Sequence, residues 1–495
     1  MDCNEDGTKL YANFDSPWEV HVFSNRIQGR NVFVLWRVGL WFAISLSACL
    51  CACGTIPRID LDKAANDSKA PPQVMGTRGP LSVSQSRTIL ERISTEAGDA
   101  GMLDRHLAIE QAIAETPLIE GNRTRILRDG GETFNAVFTA IDRAKHHVNL
   151  EYYILEDIER DAVHLSDLLI AKQASGVTVN VIYDSFGSLD TPAGFFDKLK
   201  QAGIKVLEFN PVNPLNAKND YSPNDRDHRK ILVVDGATAI IGGVNLSKTY
   251  QTNPLGSSGP SEEAPSETWR DTAMQIDGPV VSQVQSLFLE QWTAQSGPPL
   301  DTETFFPKVP PQGKEIARII GSTPDHETPR YYVTLLSALQ NAEKSIDLTA
   351  SYFVPTEQER RELIAAAARG VRVRLLLPDR SDSRAALSVG RSHYTALLDA
   401  GVSIWETQNV VLHSKTVVID GVWSVIGSSN FDHRSIIFND EIDAVVLGRD
   451  TAQAMQRMFE DDLARAIKID PVEWGQRSLF QRLEEIIFRL GQTLL

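Results

Sequence analysis

Two histidines and two lysines recur in one pattern at two places in the chain. Residues 228–245 read HRKILVVDGATAIIGGVN and residues 413–430 read HSKTVVIDGVWSVIGSSN. Both follow one rule: His, any residue, Lys, four residues, Asp, six residues, Gly, Gly or Ser, any residue, Asn. The matched pairs are His228/His413, Lys230/Lys415, Asp235/Asp420, Gly242/Gly427 and Asn245/Asn430. A pattern with this many fixed positions, met twice in register, marks two copies of one structural unit.

Side chains two residues apart on a strand point the same way, so each His shares a face with its Lys. The runs ILVV and TVVI between Lys and Asp read as buried strands. Each ends in Asp-Gly before a second apolar run, which is a hairpin signal. Asp235 and Asp420 fall at that turn and read as mainly structural. Asn245 and Asn430 lie just past the returning strand, where they could reach the His-Lys face. A single His-Lys pair on a strand carries little meaning, but two units packed face to face bring two His, two Lys and two Asn together. Such a set suits a phosphodiester: lysines and amides neutralise the non-bridging oxygens, one imidazole attacks phosphorus, and the other protonates the leaving oxygen.

This paired motif resembles the phospholipase D superfamily over nearly all of residues 120–475. The resemblance implies an α/β fold of two tandem α-β-α sandwich domains with pseudo-twofold symmetry and one shared active site. It implies catalysis through a covalent phosphohistidine with no metal and no cofactor. It names His228, Lys230, Asp235, His413, Lys415 and Asp420 as the catalytic set, with His228 attacking and His413 acting as general acid. A free imidazole titrates near 6.5, so a neutral nucleophile beside a protonated acid is accessible near neutrality. Asn245 and Asn430 would bind phosphate. A catalytic His also needs a partner on its second ring nitrogen. The second copy continues as FDHRSIIFNDE, similar to the cardiolipin synthase continuation through Asn430, Asp432, Arg434, Ser435, Asn439 and Glu441. By that likeness Glu441 orients His413. In the first copy Trp269, Arg270 and Asp271 match the corresponding segment, and Asp271 orients His228.

The elements that must position these groups alternate β-α-β-α from residue 122, as an α/β domain requires. The expected boundaries are 1–53 for an N-terminal segment, 54–120 for a linker and short helical region, 121–297 for the first domain, 298–470 for the second, and 471–495 for an amphipathic terminal helix. Residues 248–267 form a polar insertion that reads either as a loop at the mouth of the site or as a surface insertion. Tyr352 reads as a core aromatic or as a lining residue at the entrance.

The chain has 495 residues, 42% of them hydrophobic and 23% charged, with a net charge of −16. An enzyme of long nucleic acids needs a basic footprint, so this balance makes nucleic acid an unlikely partner. The four cysteines, Cys3, Cys49, Cys51 and Cys53, all precede the repeated units, which excludes disulfides and cysteine-ligated metal there. Residues 32–53 are an apolar run after Arg26 and Arg30, the pattern of a signal peptide or an uncleaved anchor. LSAC (46–49) has the form of a lipobox, with LCAC (50–53) a looser second, so Cys49 and Cys53 are lipidation candidates. The expected location is the bacterial cell envelope, anchored and facing the periplasm.

The terminal segment places Leu479, Phe480, Leu483, Ile486, Ile487 and Leu490 on one helical face, either packed on the body or lying in a membrane interface. Together with the resemblance, this leads to a membrane-associated phosphatidyltransferase acting on phosphatidylglycerol, with phosphatidylethanolamine as a second candidate donor. The alternatives are a phospholipase D that releases phosphatidic acid, a phosphodiesterase of nucleic acid, and an idle binding protein. Intact motifs in both copies argue against the last.

Overall fold

The computed structural model describes residues 56–492, apart from 62, 64–70, 77–78, 97–100, 214, 216–221, 252–267, 325 and 327. The apolar run 32–53, with Cys49 and Cys53, and most of the polar insertion lie outside the described residues.

The two copies build the same seven-stranded half-sheet. In the first half the order is Lys205–Phe209, Thr178–Asp184, His147–Tyr152, Lys230–Val234, Thr238–Gly242, Thr272–Asp277, Leu118–Arg128. In the second it is Ser403–Glu406, Arg372–Leu377, Ser345–Thr349, Thr416–Ile419, Trp423–Gly427, Asn439–Leu447, Glu315–Ser322. The last strands of the two halves pair antiparallel, with Glu315 opposite Asn122 and Ala317 opposite Ile119.

Strand alternation decides what each half buries. Leu232 and Val234 point into the first half's own core, with Phe134, Val137 and Leu150. Ile231 and Val233 point the other way, into a layer shared with Val418, Ile426, Ile442 and Ala444 of the second half. Each such side chain stabilises the fold by roughly 1.5–3 kcal/mol on burial, so the halves are held by an apolar layer that continues behind the catalytic strands.

The expected hairpin turns form. Asp235 and Gly236 have φ of 51° and 58°, and Asp420 and Gly421 have 53° and 66°. Positive φ at both central residues is what a primed hairpin turn demands.

Candidate active site

Neither motif aspartate reaches the histidines. The Asp235 carboxylate accepts the backbone N–H groups of Lys145, His146 and His147 at 2.8–3.0 Å. Asp420 does the same for Glu343, Lys344 and Ser345 at 2.7–2.9 Å. Each ties its turn to the loop before a central strand. Their place in the catalytic set is corrected: they sit at the far end of the hairpin and hold its shape.

The other motif residues converge. His228, Asn245, His413 and Asn430 line one cavity of about 220 Å³, together with Tyr153, Arg226, Tyr250, Trp269, Tyr352, Asp382, Asp432 and Arg434. The lysines lie beneath, Lys230 1% and Lys415 5% exposed. Lys230 donates to the His228 carbonyl at 2.6 Å and Lys415 to the His413 carbonyl at 2.5 Å. Lys415 Nζ also approaches both ring nitrogens of His413, at 2.9 and 3.0 Å. The Asn245 amide oxygen accepts from the Ile154 N–H, and the Asn430 amide oxygen accepts from the Ser351 hydroxyl at 2.6 Å. With the oxygens tied back, the amide NH₂ groups are the ends presented to a phosphate.

The orienting pairs are the reverse of the expectation. His228 Nδ1 lies 3.0 Å from Glu441 Oε2, and His413 Nδ1 lies 2.8 Å from Asp271 Oδ2. Each carboxylate serves the histidine of the other half. The cause is a double strand crossing. The short strand Arg226–Asp227, which leads into His228, pairs parallel with Asn439–Asp440, just before Glu441. The strand Val410–Leu412, which leads into His413, pairs parallel with Thr268–Arg270, just before Asp271. The His228 N–H then donates to the Asp440 carbonyl, and the His413 N–H to the Arg270 carbonyl. One backbone hydrogen bond at each histidine thus fixes its imidazole beside the opposite carboxylate.

The carboxylates differ by one methylene, and their surroundings compensate. A Cβ at Gly243 would stand 2.2 Å from Asp271 Oδ1, so the shorter acid needs a glycine beneath it. The equivalent position holds Ser428, whose hydroxyl donates to Glu441, and Asn439 donates to the same carboxylate at 3.1 Å. Tyr250 adds a hydroxyl 3.1 Å from His413 Nδ1. Nδ1 faces a carboxylate in both rings, so Nε2 is the nitrogen assigned to the chemistry, with Lys415 beside it at His413.

Burial governs the charge states. It holds His228 well below the ordinary imidazole range, aided by the Lys230 and Lys415 charges. His413 is lowered by burial and by Lys415, against the pull of Asp271. Burial lowers Lys230 to about 7 and Lys415 to about 8, and raises Glu441 to about 7. These shifts favour a neutral imidazole able to attack, beside lysines that an incoming phosphate anion would keep charged.

Tyr352 lines the cavity, with its hydroxyl 2.6 Å from Asp382. Tyr250 and Arg226 escaped the motif reading, and Ser428, a position of the motif, was given no role there. Arg226 had a local signal, lying two residues before His228 on the same strand face.

The comparisons give the family. A family model described as "Cardiolipin synthase, PLD-like domain" matches residues 137–253 and 335–463. A cardiolipin synthase of Geobacillus thermodenitrificans (strain NG80-2) is 34% identical over 392 residues, 79% of this chain and 75% of that protein. Cardiolipin synthase 2 of Bacillus anthracis is 33% identical over 376 residues, 75% of this chain and 70% of that protein. The crystal structure of phosphatidylserine synthase from Haemophilus influenzae Rd KW20 superposes with a TM-score of 0.59 at 12% identity, covering 78% of this chain and 99% of that one, and shares the fold. The chain belongs to the phospholipase D superfamily, and within it to the cardiolipin synthase-like proteins. It is a cardiolipin synthase-like phosphatidyltransferase.

Proposed function

We propose that this enzyme works at a membrane surface and joins two phosphatidylglycerol molecules into cardiolipin through a phosphohistidine. One imidazole, His228 in the order the family implies, attacks the donor phosphorus. A P–N bond forms, the P–O bond to glycerol breaks, and the other imidazole gives the leaving oxygen its proton. The second lipid's hydroxyl then returns a proton to that imidazole, forms the new P–O bond and releases the histidine. Lys230, Lys415, Asn245 and Asn430 balance the phosphoryl charge throughout.

The observation that carries the membrane part is the terminal helix, Leu479–Arg489. Its apolar stripe does not pack on the body: Leu479 is 82% exposed, Phe480 73% and Leu490 84%, with Leu483, Ile486 and Ile487 above half. The helix docks by its other face. Phe488 packs against the buried cluster of Val354, Ala386 and Val389, on which Tyr352 also rests, and Glu484 pairs with Arg384. Tyr352 is a wall of the catalytic cavity, so the helix is docked on a cluster that also supports that wall, and a stripe left bare there suits an interfacial helix that delivers lipid. No helix among the described residues is long and apolar enough to cross a membrane. The apolar run 32–53, with Cys49 or Cys53 lipidated, would supply the tether to the cell envelope; release after Cys49→Ser with Cys53→Ser would mark lipidation.

The test is the full-length protein on vesicles of phosphatidylglycerol and phosphatidylethanolamine, read by mass spectrometry beside His413→Ala. Cardiolipin that depends on His413 supports the reading, and the released alcohol identifies the donor. Phosphatidic acid alone would make water the acceptor and overturn it.

A further inference from the structure

The pseudo-twofold symmetry of the catalytic groups is broken in charge at one end of the cavity. Two residues before each motif histidine stand Arg226 in the first half and Val411 in the second. Four residues after each motif asparagine stand Thr249 in the first half and Arg434 in the second. The crossed strands put both arginines at the same end. Arg434 donates to the Asn224 carbonyl at 3.0 Å, and the Arg226 N–H donates to the Phe438 carbonyl at 3.1 Å. Both line the cavity with His228. The equivalent positions, with Thr249 lining the cavity, belong to the His413 end, where the rings of Tyr250, Trp269 and Tyr352 lie within 6.3 Å of the His413 ring.

The two guanidiniums are held differently. Arg226 is anchored by the Asn210 and Pro223 carbonyls and lies 3.8 Å from Asp184. Arg434 is part-exposed, rests over the Phe438 ring, and has no carboxylate at ion-pair distance among the described residues. The two acids in the lining are already engaged: Asp432 accepts the Ser435 N–H, and Asp382 takes the Tyr352 hydroxyl.

The central phosphodiester already has two lysines and two amides. A further pair of arginines has no task if the second substrate is water. A phospholipid acceptor, by contrast, carries its own phosphodiester one glycerol length from the attacking hydroxyl, and guanidinium is well matched to phosphate oxygens. We propose that Arg226 and Arg434 form a second phosphate subsite that holds the phosphodiester of the accepting phospholipid. The proposal rests on the function given above and names the feature that selects lipid over water or free alcohol. The arginines do not touch the reacting phosphorus; they determine which acceptor is positioned.

One intermediate offered two acceptors provides the test, because donor effects then cancel. Full-length protein is given phosphatidylglycerol vesicles and deuterated glycerol, and the ratio of cardiolipin to deuterated phosphatidylglycerol is measured. Arg434→Gln, at a part-exposed position, should lower that ratio about tenfold or more, the range for losing a charge-assisted hydrogen bond. Arg434→Lys should recover part of the ratio. Arg226→Gln should act in the same direction in protein whose melting temperature is retained. An unchanged ratio, or equal loss of both products, would overturn the subsite. If the wild type labels no lipid with either acceptor, the phosphatidyl-transfer reading itself fails, and the lipid ligand of the subsite with it.

Discussion

Glu441 lies 3.0 Å from His228 Nδ1, although 213 positions of chain separate them and each belongs to a different half. Asp271 and His413 repeat the relationship in reverse at 2.8 Å. Neither half therefore holds a complete catalytic histidine. With His228 attacking, Glu441→Gln should slow formation of the phosphoenzyme, whereas Asp271→Asn should slow the proton transfers at His413. Losses of roughly 10²–10⁴-fold are expected for either, as for other residues that hold an acid–base group in place. Rapid quench of an acyl-labelled donor whose leaving group needs no proton, such as a nitrophenyl ester, separates the cases: Asp271→Asn should still accumulate labelled protein, and Glu441→Gln should not. The opposite accumulation would exchange the roles of the two histidines.

The motif aspartates make a contrasting prediction. Asp235 and Asp420 each gather three backbone N–H groups and occupy left-handed backbone, where Asp and Asn are tolerated and Ala is strained. Asp420→Ala should destabilise by about 2 kcal/mol or more, and Asp420→Asn by clearly less. Turnover per folded molecule should change little in either. Thermal melting with active-site titration checks both; a thousandfold loss of turnover at an unchanged melting temperature would return Asp420 to the catalytic set.

How far the site could be read in advance follows from the range of each interaction. His228 with Lys230, and the Asp-Gly turns, were legible because strand parity and turn chemistry act over a few residues. The orienting pairs were not, because the pairing of 226–227 with 439–440 is a contact between halves that each repeat, read alone, resembles equally well with its own carboxylate. The terminal stripe was legible as a stripe, but its exposure depends on Phe488 and Glu484 claiming the opposite face for docking. The half-sheets themselves follow from alternating apolar runs, which both copies contain in full.

The lysines set an alkaline limit. Burial lowers Lys415 to about 8 and Lys230 to about 7. A lysine serves phosphate only while protonated, so kcat/KM, which reports the free enzyme, should fall as pH rises through this range. Bound phosphodiester favours the charged ammonium, so the alkaline limb of kcat should lie at higher pH than that of kcat/KM. Coincident limbs would mean that the lysines do not meet the phosphate.

The same cations supply the charge that a divalent metal supplies in many phosphoryl-transfer sites. EDTA at millimolar concentration should leave initial rates unchanged on vesicles kept free of calcium and magnesium. Activity lost to chelation and restored by one added ion would require a metal in the step that the lysines and amides are assigned here.

The terminal helix separates access to the bilayer from chemistry. Leu483 and Ile487 are more than half exposed, so replacing both by Glu removes little internal packing. Leu483→Glu with Ile487→Glu should reduce turnover on phosphatidylglycerol vesicles by about tenfold or more, since charge in the apolar stripe opposes interfacial insertion. On monomeric short-chain phosphatidylglycerol the double variant should match the wild type within about twofold, because His228, His413 and their carboxylates are untouched. Hydrogen exchange gives a readout independent of turnover: amides of residues 479–490 should gain protection when vesicles are added. Protection that instead rises with protein concentration in the absence of lipid would assign the stripe to a second copy of the chain, and equal rates on vesicles would leave it without a role in substrate access.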